Sequence, residues 1–309
     1  MNKNFKDIYY KIYNENQVSS VEKICFKRSM NILKLFGITM LGAIVHPITL
    51  IITIPILIIY ATVSSSKKRI ENENNLYKEK LILPLLQEIY NDMQYRPKEL
   101  LELDKYLEAE YNDKITKVDD IGKYSSGDHI ILPIKIEEKN IGNLDIYNVK
   151  LETPNVGTGH GNNRLKIFEG LTATISLPKN IQTKIKLSPK VITNIIDFPD
   201  NNNVVLTDSS EFNNYFKILA DNPNLAMRIF SPDILSKMII ILKTNNQIFS
   251  VNIINDKLYI RVSCSSAFEP VIVLNQEKHT HVEKTFNALE LMKELAYLFY
   301  KIIDVIDIT

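Results

Sequence analysis

From Leu35 to Ser66 the chain carries no charged side chain, reading LFGITMLGAIVHPITLIITIPILIIYATVSSS. A helix that is apolar on every side has no wet face to present, so it fits poorly at the surface of a soluble domain. Beyond about 18 consecutive apolar residues, a membrane-spanning helix is the expected structure. A cleavable signal peptide is not expected, because the run starts far from Met1 and no Ala-x-Ala site follows it.

The run is long for one span. A straight helix over Leu35–Val63 would measure about 44 Å at a rise of about 1.5 Å per residue, against about 30 Å of hydrocarbon. His46-Pro47 lies in its middle. Proline disfavours the helical conformation of the residue before it and cannot donate a backbone hydrogen bond. A turn at His46 and Pro47 gives two legs, Met30–Val45 and Ile48–Ser64, each about 25 Å long. Such legs suit a locally thinned bilayer with Lys34 snorkelling. Lys23, Lys27, Arg28 and Lys34 precede the run, and Lys67, Lys68 and Arg69 follow it. Basic residues mark the cytoplasmic side. Two basic flanks therefore favour a hairpin with both ends inside over one long span. Pro55 is expected to bend the second leg, which membrane helices tolerate. No Asp, Glu, Lys or Arg lies within the run, so it reads as an anchor rather than a transport element.

Composition narrows the rest. The 37 basic and 36 acidic residues leave a net charge of +1, without the surplus of Lys and Arg that nucleic-acid binding requires. With 45% hydrophobic and 24% charged residues, the chain is neither disordered nor fibrous. Cys25 and Cys264 are too few for a disulfide scaffold.

Residues 1–29 read as a cytosolic amphipathic leader, with Phe5, Ile8, Tyr9, Ile12 and Tyr13 at helical spacing. Residues 30–66 form the membrane anchor and 70–127 a helical linker region. Within that linker, Pro84 should kink or break the helix over 70–92. Pro97 should open another helix running to about Tyr111, with Glu99 in its first turn. The remainder, 128–309, reads as a soluble α+β domain. Its strands are expected at 129–136, 145–151, 165–168, 171–177 and 184–187, rich in β-branched residues. Gly142-Asn143 suggests a hairpin turn, and Asn255-Asp256 another between 249–254 and 257–262. Helices are expected from Glu211 and from Ser231. An amphipathic helix over about 281–306 closes the chain. The fold class is thus α+β: a transmembrane hairpin, linking helices, then a mixed or antiparallel β domain ending in a helix.

Four motifs occur in a fixed order: Tyr77-Lys-Glu-Lys-Leu-Ile-Leu-Pro, Ile167-Phe-Glu-Gly-Leu-Thr-Ala-Thr, Glu211-Phe-Asn-Asn-Tyr-Phe before Ile229-Phe-Ser-Pro-Asp, and Lys257-Leu-Tyr-Ile-Arg-Val before Phe268-Glu-Pro. Over roughly 76–306 the chain resembles an uncharacterised family of bacterial membrane-anchored proteins known only as a domain of unknown function. The resemblance implies a two-helix anchor, an extension helix and a soluble α+β domain. It implies no reaction and no catalytic residue. Members of that family have well-separated spans, whereas the run here is compressed.

Few side-chain patterns point to chemistry. Gly157-Thr-Gly-His-Gly161 could wrap a phosphate, but it lacks the Lys-Ser/Thr of a P-loop and reads better as a hairpin connection. His279 and His281, with Glu277 and Glu283, would share a face on a strand, yet no third zinc ligand follows from the spacing. Cys25 and Cys264 sit in no nucleophile motif. Asp119-Asp120 and Glu137-Glu138, if in strands, point to opposite faces and cannot pair as acid and base. Catalytic residues, metal ligands and cofactors are therefore not expected.

The expectation is a binding or scaffolding module, multi-pass in a bacterial inner membrane, with termini and soluble domain cytoplasmic. Its partners would be the lipid bilayer and a protein at the membrane surface. The alternative is a membrane-tethered hydrolase or nucleotide-binding enzyme using the Gly157–Gly161 loop.

Overall fold

In the computed structural model, described residues are 4–23, 67–109, 121–154, 166–190, 203–245, 247–265, 267–269 and 278–306, with Met30, Lys34, Gly37, Ile54 and Pro55. They divide into two units, one from Met1–Asn91 with Phe268–Glu283, the other from Asp92–Ala267 with Lys284–Thr309. Among them no helix is long and apolar enough to cross a membrane. The expected hairpin over Leu35–Val63, with its turn at His46 and Pro47, lies outside the described residues apart from Gly37, Ile54 and Pro55.

In the first unit, α1 (Asn4–Glu15) buries Phe5, Tyr9 and Ile12, which recur at the spacing of one helical face. Gln17 takes a positive φ of 50°, and residues 18–23 resume a helix that buries Val18 and Val21. Helix α2 (Lys67–Tyr77) runs into a π-helical turn, Lys78–Ile82, and then α3 (Leu83–Ile89). The break expected at Pro84 becomes this widened turn. Leu83 N–H bonds to Lys78 O, five residues back, which accommodates a proline that has no N–H of its own. Helix α1 packs on the widened turn and on α3 through buried Leu81, Ile82, Leu85 and Leu86.

The second unit is built on one sheet. Its described strands are β1 (Gln94–Arg96), β2 (Lys123–Ile136), β3 (Lys139–Glu152), β4 (Lys166–Ser176), β5 (Lys184–Pro189), β6 (Val204–Val205), β7 (Phe216–Ala220), β8 (Phe249–Ile254) and β9 (Lys257–Ser263). They order as β1-β2-β3-β4-β9-β8-β5-β7-β6, each neighbouring pair antiparallel. The helices are α4 (Leu103–Glu108), α5 (Ser210–Tyr215), α6 (Pro223–Ile229), α7 (Pro232–Asn245) and α8 (Lys278–Val305), whose first turns belong to the first unit. The fold is α+β with an antiparallel sheet and a C-terminal helix.

One face of the sheet is apolar. Ile146, Ala173, Ile260, Val251 and Leu187 follow one another in register across β3, β4, β9, β8 and β5, and all are buried. Side chains alternate along a strand, so one register places all of these on one face. Phe216 and Phe249 pack 5.4 Å apart, and Phe230 meets Phe299 of α8 edge-on at 5.8 Å. Caps follow local chemistry: Ser209 Oγ and Asn222 Oδ1 accept the backbone N–H groups of Phe212 and Leu225.

Three local expectations change. The β2–β3 turn is Glu137-Glu138, both with positive φ (50° and 67°), which suits a tight antiparallel connection. Gly142 instead sits within β3 opposite Ile134, at a register irregularity, with φ 151°. The expected strands at 165–168 and 171–177 are one, β4, because Gly170 pairs directly with Ser263. A Cβ on Gly170 would lie 2.1 Å from Val262 O, so the glycine continues the strand rather than ending it. The helix expected from Pro97 begins only at Leu103, and β1 and the start of β2 lie within the stretch read as helical linker. Arg96 is drawn into pairing with His129 of β2, a long-range contact that overrides local helical preference.

Candidate functional site

The other face of the sheet is largely polar and carries a cluster of titratable side chains around His129. Its origin is a bulge in β2. Gly127 pairs with Asn148 and Ile130 with Ile146, so Asp128 and His129 together oppose Tyr147. Asp128 takes φ 55°, a conformation that aspartate tolerates better than bulky residues. The imidazole of His129 stacks on the Tyr147 ring, with centroids 4.2 Å apart and planes 5° from parallel.

His129 is only 3% exposed. Its Nε2 lies 3.0 Å from Asp145 Oδ1 of β3, and its Nδ1 lies 3.2 Å from Glu99 Oε1 in the loop between β1 and α4. The Glu99 contact is electrostatic, since Nδ1 makes no well-directed hydrogen bond. Arg96 Nη1 donates to Glu99 Oε2 at 3.0 Å. Beside them, Tyr95 donates its phenolic O–H to Asp128 Oδ1 at 2.5 Å. The Glu99 carboxyl is held below the usual carboxylate range by the Arg96 hydrogen bond first and the His129 contact second. The Tyr147 phenol is pushed up to about 12, by burial first and then by the Glu99 and Asp145 charges. The Tyr95 phenol is raised by burial and then by the Asp128 charge.

The polar face continues in register. Tyr147, Thr172, Arg261 and Ser250 form one row across β3, β4, β9 and β8, and Asp145, Thr174, Tyr259, Asn252 and Lys186 form the next across to β5. Thr172, Lys186, Asn252, Tyr259 and Arg261 are buried. Helix α4 lies over this region. Arg261 sits 4.3 Å from the centre of the Tyr106 ring and donates from Nη2 to Tyr106 O, while Asn252 Nδ2 donates to Ala109 O. These donors meet carbonyls at the end of a helix, where cations and N–H groups are favoured. Tyr106, Val149 and Leu151 form a small apolar cluster beneath α4.

A cleft of about 480 Å³ opens between α6, the start of α7 and the last turn of α8, lined in part by Arg228, Asp233, Lys237 and Val305.

The residues singled out by sequence fall elsewhere. The Gly157–Gly161 loop with His160, Asp119-Asp120 and Cys25 lie outside the described residues. His279 and His281 stand on α8, not on a strand; two residues apart on a helix, they do not share a face. His279 is buried, and Tyr10 Oη lies 3.4 Å from its Nδ1. Among the described residues no set of three or more His, Cys, Asp and Glu could hold a metal. Burial pushes the Cys264 thiol up to about 12, away from nucleophilic reactivity. Phe268 and Tyr259 are buried. The cluster around His129 was not foreseen. A glycine-aspartate step inside a β-branched run was the available signal, since glycine within a strand often marks a bulge.

Residues 166–300 match a family described as "Protein of unknown function (DUF3137)". The match runs from β4 into α8 and is narrower than the resemblance over 76–306. Among solved structures, the mycobacterial trehalose monomycolate transport factor A, TtfA, aligns at 8% identity and a TM-score of 0.34, covering 67% of this chain and 89% of that one. No curated protein matches.

Proposed function

We propose that this protein is a binding or scaffolding module anchored in a bacterial cell membrane, with its α+β domain on the cytoplasmic side. The observation that carries the proposal is the uncharged run from Leu35 to Ser66 with basic residues on both flanks. The geometry of the polar face supports binding over catalysis. His129 has a carboxylate at each ring nitrogen and a ring stacked on its face, so neither nitrogen is open to a substrate proton.

Alkaline extraction of membranes tests the anchor: the full chain stays with the lipid pellet and needs detergent for release. Recovery in the aqueous supernatant overturns it. Reporters fused to each terminus both report the cytoplasm; opposite compartments replace the hairpin with a single span. Gentle detergent purification then recovers a protein partner. A lone chain carrying a bound small molecule turns the assignment to the enzyme reading.

A further inference from the structure

We propose that His129 is a proton-operated clasp that fastens the segment from Arg96 to Ala109 onto the polar face of the sheet. A neutral imidazole has one N–H. Its N–H lies either on Nε2, toward Asp145, or on Nδ1, beside Glu99, and its bare nitrogen then faces the other carboxylate. The imidazolium presents a proton on both sides, a hydrogen bond to Asp145 and a favourable charge contact with Glu99. Protonation therefore turns one repulsive contact into an attractive one, and that contact joins two separate elements. Asp145 belongs to β3, while Glu99 belongs to the loop that feeds α4.

The groups that face the ring come from every element around it. Glu99 approaches from the loop, with Arg96 of β1 behind it. Asp145 and Tyr147 approach from β3. Asp128, next in sequence, faces Tyr95. Two carboxylates, Glu99 and Asp145, lie against the imidazole, and Arg96 pairs with Glu99. The end of the segment is held separately, by buried Tyr106 and Ala109 and by donation from Arg261 and Asn252 to their carbonyls. Leu101 O accepts the hydroxyls of Tyr124 and Ser126 at 2.9 and 2.8 Å, and Tyr106 lies against Arg261. Releasing the Glu99 contact loosens the loop that leads into α4, while α4 itself keeps its contacts to Arg261 and Asn252. The inference concerns the second unit alone and does not depend on the membrane reading.

Amide hydrogen exchange of residues 94–109, measured on the full chain in detergent micelles and corrected for intrinsic rates, tests the clasp. As pH falls and the imidazole takes up its second proton, the segment gains protection on the order of tenfold, the scale of one charge-assisted contact. The step tracks the His129 ring resonance and vanishes in H129Q. Flat protection in the wild type, or the same step in H129Q, overturns the proposal. E99Q supplies a second variant at a half-exposed position, with the fold expected to persist if H129Q does not fold. It also flattens the step; an undiminished step in E99Q overturns the clasp.

Discussion

Gly170 shows how one residue sets a strand pairing. A methyl group there would meet Val262 O at 2.1 Å and Cys264 N at 2.9 Å, both backbone atoms of the paired strand. Backbone cannot swing aside as a flexible side chain does, so Gly170→Ala must push β4 and β9 apart. We expect a loss of about 3 kcal/mol or more, read as a lower denaturation midpoint at unchanged slope. Arg261 is the converse, a charge that is buried because helix carbonyls and an aromatic face receive it. Arg261→Met keeps the stem and removes the charge. It should cost about 2 kcal/mol, with the exchange increase concentrated in α4. Arg261→Lys retains the charge but not the planar stacking, and should recover only part of the loss.

At the scale of elements, the loop between β1 and α4 is held by charge, and its pH dependence has a definite sign. Glu99's folded carboxyl titrates below the ordinary range. Its contribution is therefore complete above the unfolded carboxyl value and lost as pH falls through the lower folded one. The contacts of Glu99 are therefore lost toward strong acid, as its carboxyl takes up a proton. Arg96→Met removes the first cause of the Glu99 shift, so the acid limb should move up toward the ordinary carboxylate range, as followed by the Glu99 carboxyl resonance. Elements also show which sequence signals were strong. The β8–β9 hairpin turns at Asn255-Asp256 with Asn255 at φ 57°, because a short polar side chain next to its own backbone tolerates that conformation. Gly142-Asn143 carried a similar local signal yet lies inside β3. There the two glutamates at 137 and 138 accept positive φ because pairing along both strands repays the local strain.

For the whole molecule, the apolar run governs the expected partition between water and lipid. Ile56→Asp places a charge near the centre of the second leg, where insertion is disfavoured by about 3 kcal/mol. The variant should lose membrane retention relative to the wild type in the same alkaline extraction. A wild-type level of retention would count against the run as the anchor.

The sequence alone determined what depends on short spacing. Helical periodicity marked α1 and α8, β-branched enrichment marked most strands of the sheet, and the uncharged run marked the expected anchor. These features need only the residue's own preference and its neighbours a few positions away. The tertiary structure alone decided the polar face. His129, Glu99 and Asp145 come from three elements, and only the bulge at Asp128 and the pairing of Arg96 with His129 bring their charges within reach. A bulge costs one residue of register, and register is settled by the summed burial of whole strands, a quantity that no local window of sequence contains.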